Sequence, residues 1–381
     1  MKIVFAGSGT GGHFYPHIAV AEAIRKLASE NRFMEPQLFF LAPDPYDAQA
    51  LFENGIAHVR VPAGKLRRYF SFKNFTDAFL TFGGIIVAFF ALFRIYPDVV
   101  FSRSGYASVP VVLAARILGI PVVVHESDSK PARATLLTAR FAKRIAVTFE
   151  SSIPYFPKKV RGNIARTGIP VRELITHPLS EGAAEELGLD RSVPTVLILG
   201  GSLGSQRINE IVLAALPEIT AFANVIHQTG KANFDEVQAR SRVILETAAH
   251  KERYHAFPFL TLESLRRAAG ASHIVVSRAG ATAITEISLW GRPAILIPIP
   301  ESVSHDQRTN AYAYARTGAA EVLEEENMTP HILVSELKRL SNPAVAGAMA
   351  KAAQGFANPD AARLIAEELL SIALAHGTAK A

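Results

Sequence analysis

The chain has 381 residues, of which 49% are hydrophobic and 19% charged, with no cysteine. That balance excludes intrinsic disorder and a coiled coil as the main class, and the lack of cysteine excludes a disulfide framework, a thiolate metal site and a cysteine nucleophile. The net charge of +6 is unevenly placed: residues 1–172 carry 22 Lys+Arg against 11 Asp+Glu and the remainder 18 against 23, so the first half is expected to face an anionic partner, be it nucleic acid, anionic lipid or a phosphorylated substrate.

The opening MKIVFAGSGTGGH has glycines where a secretory signal would carry its longer apolar region, so a cytoplasmic chain that starts inside the fold is expected. Ile3 to Ala6 reads as a strand, followed by the glycine-rich turn and an apolar-periodic helix, Ile18 to Leu27. Further apolar runs at Gln37–Ala42, Val99–Phe101, Pro121–His125 and Ile145–Val147, with helical patterns between them, argue for βαβ units and a parallel sheet. The pattern then restarts. Thr195 to Leu199 runs into a second glycine turn, and strands follow at Val225–His227, Ile274–Val276, Ala294–Ile297 and Glu321–Leu323. Two strand–glycine–helix openings about half a chain apart predict an α/β protein of two doubly wound, Rossmann-like domains. The linker is expected between Ile169 and Arg191, and a last helix over Ala361–Ala375.

Gly7-Ser8-Gly9-Thr10-Gly11-Gly12 satisfies G-x-G-x-x-G between a strand and a helix. Glycines let the turn close without a β-carbon, and the free N–H groups of the helix start attract phosphate. A dinucleotide-binding dehydrogenase should place an acid about 20 residues on. The nearest candidate, Asp44, is 32 residues beyond Gly12, which weakens an NAD(P)-dependent oxidoreductase reading. His13 follows the turn at once and is a candidate base, with a structural hydrogen-bonding role as the alternative. Gly200–Gly204 and Ser277–Thr282 repeat the strand-to-helix turn, as suits a ligand with phosphates and a sugar. Glu286 lies early in the helix after the third turn, where it either caps the helix or accepts from ribose hydroxyls. Glu126 ends a strand at the ligand-binding edge of the sheet and is a second candidate base, or else a buried acid paired with an arginine. No Asp-x-Asp occurs and there is no cysteine, so neither a metal site nor a cofactor is expected.

Residues 78–93 form an uncharged run of 16, short of the roughly 20 that span a bilayer. Before it, residues 54–76 hold Arg60, Lys65, Arg67, Arg68 and Lys73 with no acid, interleaved with Tyr69, Phe70, Phe72 and Phe75. That mixture fits peripheral binding to anionic lipid around 65–75, while 85–93 is expected to pack as core.

Six motifs together resemble the MurG family of bacterial glycosyltransferases over nearly the whole chain: GSGTGGHFYPHIAVAEAI near the start, HESDSKP at 125–131, TGIPVR at 167–172, GGSLGSQRIN at 200–209, SRAGATAITEISLWGRPAILIPIP at 277–300 and SHDQRTNA at 304–311. The resemblance implies a glycosyltransferase-B fold, two Rossmann-like domains facing a central cleft, with an acceptor- and membrane-facing domain at 1–170, a UDP-sugar domain at 171–352 and a C-terminal helix at about 353–375 packed back on the first. It implies inverting transfer of N-acetylglucosamine from UDP-N-acetylglucosamine to lipid I, giving lipid II for peptidoglycan, and so a part in cell shape and division. It further implies a peripheral enzyme on the cytoplasmic side of the inner membrane, with cell-wall synthesis proteins as compatible partners and no nucleic acid. Another glycosyltransferase-B enzyme with a different lipid acceptor is the nearest alternative. By motif, Thr10, Gly11 and Gly12 face the donor sugar and diphosphate, and His13 matches the family's candidate base. Asp128, Arg172 and Ser202 fall at donor-contacting positions, and Leu260 lies where a backbone edge reads the uracil. Ala281, Thr282, Ala283, Ile284, Thr285 and Glu286 serve the ribose and Gln307 completes the site. Asp128 and Leu203 depart from the commoner Asn and Gln.

Overall fold

The computed structural model describes residues 1–7, 11–64, 73–103, 105–201, 204–301 and 305–378, with the side chains of 73, 74, 305, 377 and 378 left undescribed. The chain divides into two units: Met1–Arg172 with Asn358–Ala381, and Glu173–Ala357.

Unit 1 is built on strands β1 (Lys2–Ala6), β2 (Gln37–Ala42), β3 (Ile56–Arg60), β4 (Val99–Arg103), β5 (Val122–Glu126), β6 (Arg144–Val147) and β7 (Ile164–Arg166). They form one parallel sheet in the order β3-β2-β1-β4-β5-β6-β7. Helices α1 (Gly11–Glu30), α2 (Ala48–Glu53), α3 (Lys73–Ile95) and α4 (Ser108–Ile117) link the first strands. Successive side chains of a strand point to opposite faces, and both faces here are covered. Ile3 and Phe5 pack with α1 residues such as Ile18 and Ile24, whereas Val4 and Ala6 pack with Ala88 and Leu92 of α3 and Val111 of α4. The face bearing Ile3 and Phe5 is completed by the C-terminal helix Ala361–Thr378, whose Ile365, Leu369 and Ile372 join the α1 core.

Helix α3 departs from the expectation for 85–93. Of those nine residues only Ala88 and Leu92 are buried, while Phe90 and Phe93 are 60% and 62% exposed. The cause is a stripe of small residues spaced four apart. Gly84 lets the helix approach the chain so closely that a β-carbon there would lie 1.9 Å from the Pro62 carbonyl oxygen. The narrow inner stripe turns Phe75, Phe79, Phe82, Ile86, Phe90 and Phe93 outward.

Unit 2 repeats the architecture. Strands β8 (Thr195–Leu199), β9 (Asn224–Gln228), β10 (Tyr254–Phe257), β11 (Ile274–Ser277), β12 (Ala294–Leu296) and β13 (Ala320–Val322) pair in parallel in the order β10-β9-β8-β11-β12-β13. Its core gathers Val196, Ile198, Ile208, Val212, Val276 and Leu337. The expected linker zone holds two single-turn helices, Glu173–Thr176 and Ala183–Glu186, and Trp290 Nε1 donates to the Ile175 carbonyl at 3.0 Å.

In each sheet the strand order reverses beside the first strand of the unit, between β1 and β4 and between β8 and β11. Ligands of open α/β sheets bind outside the carboxyl ends of strands at such points. Because Leu369 is fully buried against α1, Leu369→Ala is expected to destabilise unit 1 by about 2–5 kcal/mol. Hydrogen exchange should quicken in β1 and α1 and stay unchanged in β8.

Candidate active site

At the switch point of unit 1, β1 ends at Ala6 and α1 opens with Gly11, Gly12 and His13. Thr10 lies outside the described residues. Gly7 is glycine for a specific reason: a β-carbon there would sit 2.4 Å from Nε2 of His17, one turn into α1. The His17 ring is closed in by the edges of Phe5, Phe40 and Phe101, and neither of its nitrogens has a hydrogen-bond partner among the described residues. Burial holds its pKa well below the ordinary value, so it is neutral. His13 Nδ1 is likewise buried and unpartnered. Burial first, then the positive charge of Arg103, lowers the His13 pKa to about 4. His13 is therefore a neutral imidazole at physiological pH, the form in which a base accepts a proton.

Arg103 ends β4 and is 1% exposed, with Nε and Nη1 unpartnered among the described residues. Burial lowers its pKa to about 10, against the raising charges of Asp128 and Glu126. Next to it, His125 Nε2 meets the Gly168 carbonyl at 2.9 Å, which makes Nε2 the protonated nitrogen. Burial and Arg103 lower the His125 pKa to about 3. Glu126 is fully buried and braces the turn that follows β5. One carboxylate oxygen accepts from the Asp128 amide at 3.0 Å and the other from the Ala132 amide at 3.2 Å. Burial, then the nearby charge of Asp128, pushes its pKa up to about 7. Asp128 is half-buried on the turn thus braced. Arg172, the last residue of unit 1, lies with its guanidinium carbon 4.3 Å from the centroid of the Tyr15 ring of α1.

In unit 2, β8 runs into Gly200 and Gly201, and the helix Gln206–Thr220 starts after Gly204 and Ser205. Ser202 and Leu203 are outside the described residues. Gly204 has φ +78°, and a β-carbon there would lie 2.2 Å from the Thr229 carbonyl oxygen. Ser205 Oγ caps the helix by accepting from the Ile208 amide. Gln228, ending β9, donates from Nε2 to the Gly201 carbonyl at 3.1 Å and accepts the Leu260 amide on Oε1 at 2.9 Å. The Leu260 amide is thus engaged within the unit. Arg278, directly after β11, donates to Ser205 Oγ at 2.6 Å and to the Ile297 carbonyl at 3.2 Å, and pairs with Glu325 at 2.5 Å. The helix Ala281–Trp290 carries Ala281, Thr282, Ala283, Ile284, Thr285 and Glu286 in its first two turns, with Gly280 as its N-cap. Glu286 is therefore the sixth residue of the helix, too far along to cap it. Gln307, on the helix His305–Ala315, accepts the Ile299 amide at 3.3 Å, and its Nε2 lies beside Gly280.

The strand ends thus bring His13, Glu126 and Asp128 to one edge of unit 1, and the second and third glycine turns to one edge of unit 2. Sequence reasoning missed Arg103, Gln228 and Arg278. Arg103 and Gln228 each close an apolar strand and Arg278 directly follows one, and that position was the available signal. Among the described residues no group of three His, Asp or Glu side chains is arranged to hold a metal ion.

The Glycosyltransferase family 28 N-terminal domain matches residues 3–147, and the C-terminal domain of the same family matches residues 195–365. The chain belongs to glycosyltransferase family 28. It is 35% identical over 349 residues to the UDP-N-acetylglucosamine–N-acetylmuramyl-(pentapeptide) pyrophosphoryl-undecaprenol N-acetylglucosamine transferase of Treponema denticola, covering 89% of this chain and 88% of that protein. The protein of the same name from Treponema pallidum is 36% identical over 370 residues, covering 96% and 94%. The crystal structure of MurG from Acinetobacter baumannii superposes with a TM-score of 0.73 at 25% identity, over 97% of this chain and 99% of that one. As a family 28 member the chain has the glycosyltransferase-B fold of two Rossmann-like domains. The oxidoreductase reading of the first glycine turn finds no support in this membership.

Gln228 links Gly201 to Leu260 from inside the unit, so Gln228→Ala leaves the Leu260 amide unsatisfied. A destabilisation of about 1–3 kcal/mol is expected from chemical denaturation. The Leu260 amide should lose exchange protection, while that of β12 is retained.

Proposed function

We infer that this chain transfers N-acetylglucosamine from UDP-N-acetylglucosamine to undecaprenyl-pyrophosphoryl-N-acetylmuramyl-pentapeptide, lipid I, giving lipid II for peptidoglycan. The observation that carries the inference is the match to transferases of that name along about nine-tenths of the chain, with both family domains present. Transfer inverts the sugar's anomeric carbon in a single displacement. The acceptor hydroxyl oxygen forms the new bond to that carbon, the bond to the UDP oxygen breaks, and the hydroxyl proton passes to a base. Unit 2 holds the donor. Gly200, Gly201 and Gly204 of the second glycine turn serve the diphosphate, Leu260 the uracil and Ala281 to Glu286 the ribose, with Gln307 closing the site; Ser202, a donor contact by motif, lies outside the described residues. The positive ends of the helices Gln206–Thr220 and Ala281–Trp290 face the leaving diphosphate, the usual place for anions. Unit 1 receives the acceptor. By family motif Gly11, Gly12, Asp128 and Arg172 are the donor contacts of unit 1, as is Thr10, which lies outside the described residues.

His13 is the base in this reading, and Glu126 sets the turn that carries Asp128. A base works in its unprotonated form, and the His13 pKa of about 4 keeps that form populated from neutral pH down to about 5. A transfer assay with UDP-N-acetylglucosamine and a short-chain lipid I analogue tests both the activity and the assignment. The acid limb of kcat/KM should lie near pH 4, and His13→Ala should lower kcat by about 10²–10⁴-fold. A limb near pH 7 would transfer the role to Glu126, and absence of transfer would refute the function.

A lipid-linked acceptor calls for a peripheral enzyme at the cytoplasmic face of the inner membrane. Helix α3 supports this reading with its outward Phe75, Phe79, Phe82, Phe90 and Phe93. It is long and apolar enough to cross a membrane, yet it packs on unit 1 through Ala88 and Leu92, as a surface helix would. The basic cluster precedes it. Lys65, Arg67, Arg68, Phe70 and Phe72 lie outside the described residues, and Lys73 begins α3. Two variants separate the contributions in co-sedimentation with anionic vesicles. Replacing Lys65, Arg67, Arg68 and Lys73 with Gln should remove the salt-sensitive part, at ~1 kcal/mol per charge. Replacing Phe79, Phe82 and Phe90 with Ser should remove the part that persists in high salt. Parental sedimentation of both would exclude this face.

A further inference from the structure

The aromatic cluster at the start of α1 has a role that the family motifs do not assign. Tyr15 is held from several sides. Its hydroxyl donates to Asp47 Oδ2 at 3.0 Å, and that carboxylate is itself fixed, because Oδ1 accepts the Ala50 amide at 2.9 Å and caps α2. Phe14 and Tyr46 meet the Tyr15 ring edge-on, with centroids at 5.4 and 6.2 Å. The ring also touches the helix start: a β-carbon on Gly11 would lie 3.2 Å from Tyr15 Cε2 and 3.0 Å from Tyr46 Oη. Burial and the bond to Asp47 push the Tyr15 phenol up to about 12, so it stays protonated and keeps donating. The guanidinium of Arg172 stacks on this immobilised ring at 4.3 Å, well inside cation–π range. Arg172 is the last residue before unit 2, on a connecting segment where a long side chain would otherwise sample many rotamers.

We propose that Tyr15 is a positioning residue that holds the Arg172 guanidinium near the start of α1, ready for the donor's diphosphate. The proposal rests on Arg172 meeting that diphosphate, as in the reading above. A planar, delocalised cation suits both tasks, since it stacks through its face and donates through its edge. Stacking on the Tyr15 ring then lowers the ordering cost of binding, while Tyr15 itself touches no part of the donor.

Calorimetry on the full chain with UDP and with UDP-N-acetylglucosamine tests this, beside kcat at saturating donor. Tyr15→Leu keeps the bulk and loses the π face. It should weaken both ligands about three- to tenfold and leave kcat within about twofold. Tyr15→Phe retains the face and should bind both ligands within about twofold of the parent. Arg172→Lys keeps the charge but stacks poorly, so it should lose affinity as Tyr15→Leu does, and combining the two should add little. Arg172→Lys leaves the aromatic cluster intact and carries the test if Tyr15→Leu melts early. Parental UDP affinity in Tyr15→Leu, while Arg172→Gln binds weakly, would overturn the positioning role. So would equal damage from Tyr15→Phe, which would point to the hydroxyl. Parental UDP affinity in Arg172→Gln would instead refute the donor contact of Arg172, and the proposal with it.

Discussion

Close approach of backbone at the carboxyl ends of β1 and β8 is the constraint on which the candidate site of each unit depends. At Gly7 the chain passes over the His17 ring with no room for a side chain, and at Gly204 it passes over the Thr229 carbonyl. These passages set where α1 and the helix Gln206–Thr220 begin, and hence where their unpaired N–H groups point. The sheets put the passages at their switch points, so the same backbone economy that closes the turn also presents the anion-binding helix ends.

The two edges differ in charge state. Unit 1 keeps Arg103 buried among three imidazoles, those of His13, His17 and His125, all held neutral by desolvation. Burial, reinforced by one buried cation, keeps these imidazoles uncharged and so maintains a base ready in an apolar setting. Unit 2 instead uses its arginine as a strut. Arg278 is engaged by Ser205, the Ile297 carbonyl and Glu325, and it fixes the second glycine turn against the end of β12.

Apart from the edge strand β13, the strands legible in the sequence were interior ones, where apolar runs are continuous. The unread ones, β3, β7 and β10, are all edge strands with a neighbour on one side only. Their sequences IAHVR, IAR and YHAF are broken by polar residues because part of each strand meets solvent. The glycine turns were legible because close approach admits one residue type. The supports Arg103 and Gln228 were not, since a polar residue at a strand end acquires meaning only from what lies across the sheet. Helix α3 misled for a related reason. Its apolar content is that of a core helix, and only the small-residue stripe at Gly84 and Ala88 reveals which side packs.

The C-terminal helix has a consequence for how the chain matures on the ribosome. Ile365, Leu369 and Ile372 belong to the core that begins with Ile3 and Phe5, so unit 1 is assembled from the two ends of the chain. Unit 2, by contrast, is continuous in sequence from Glu173 to Ala357. At roughly 5–20 residues per second, the whole of unit 2 emerges over an interval on the order of ten seconds or more while the α1 face of unit 1 still lacks its cover. The apolar surface of α1 and β1 is open throughout that interval, a natural substrate for holdase chaperones. A nascent chain stopped before Ala361 would be left with one finished unit and one permanently uncovered core.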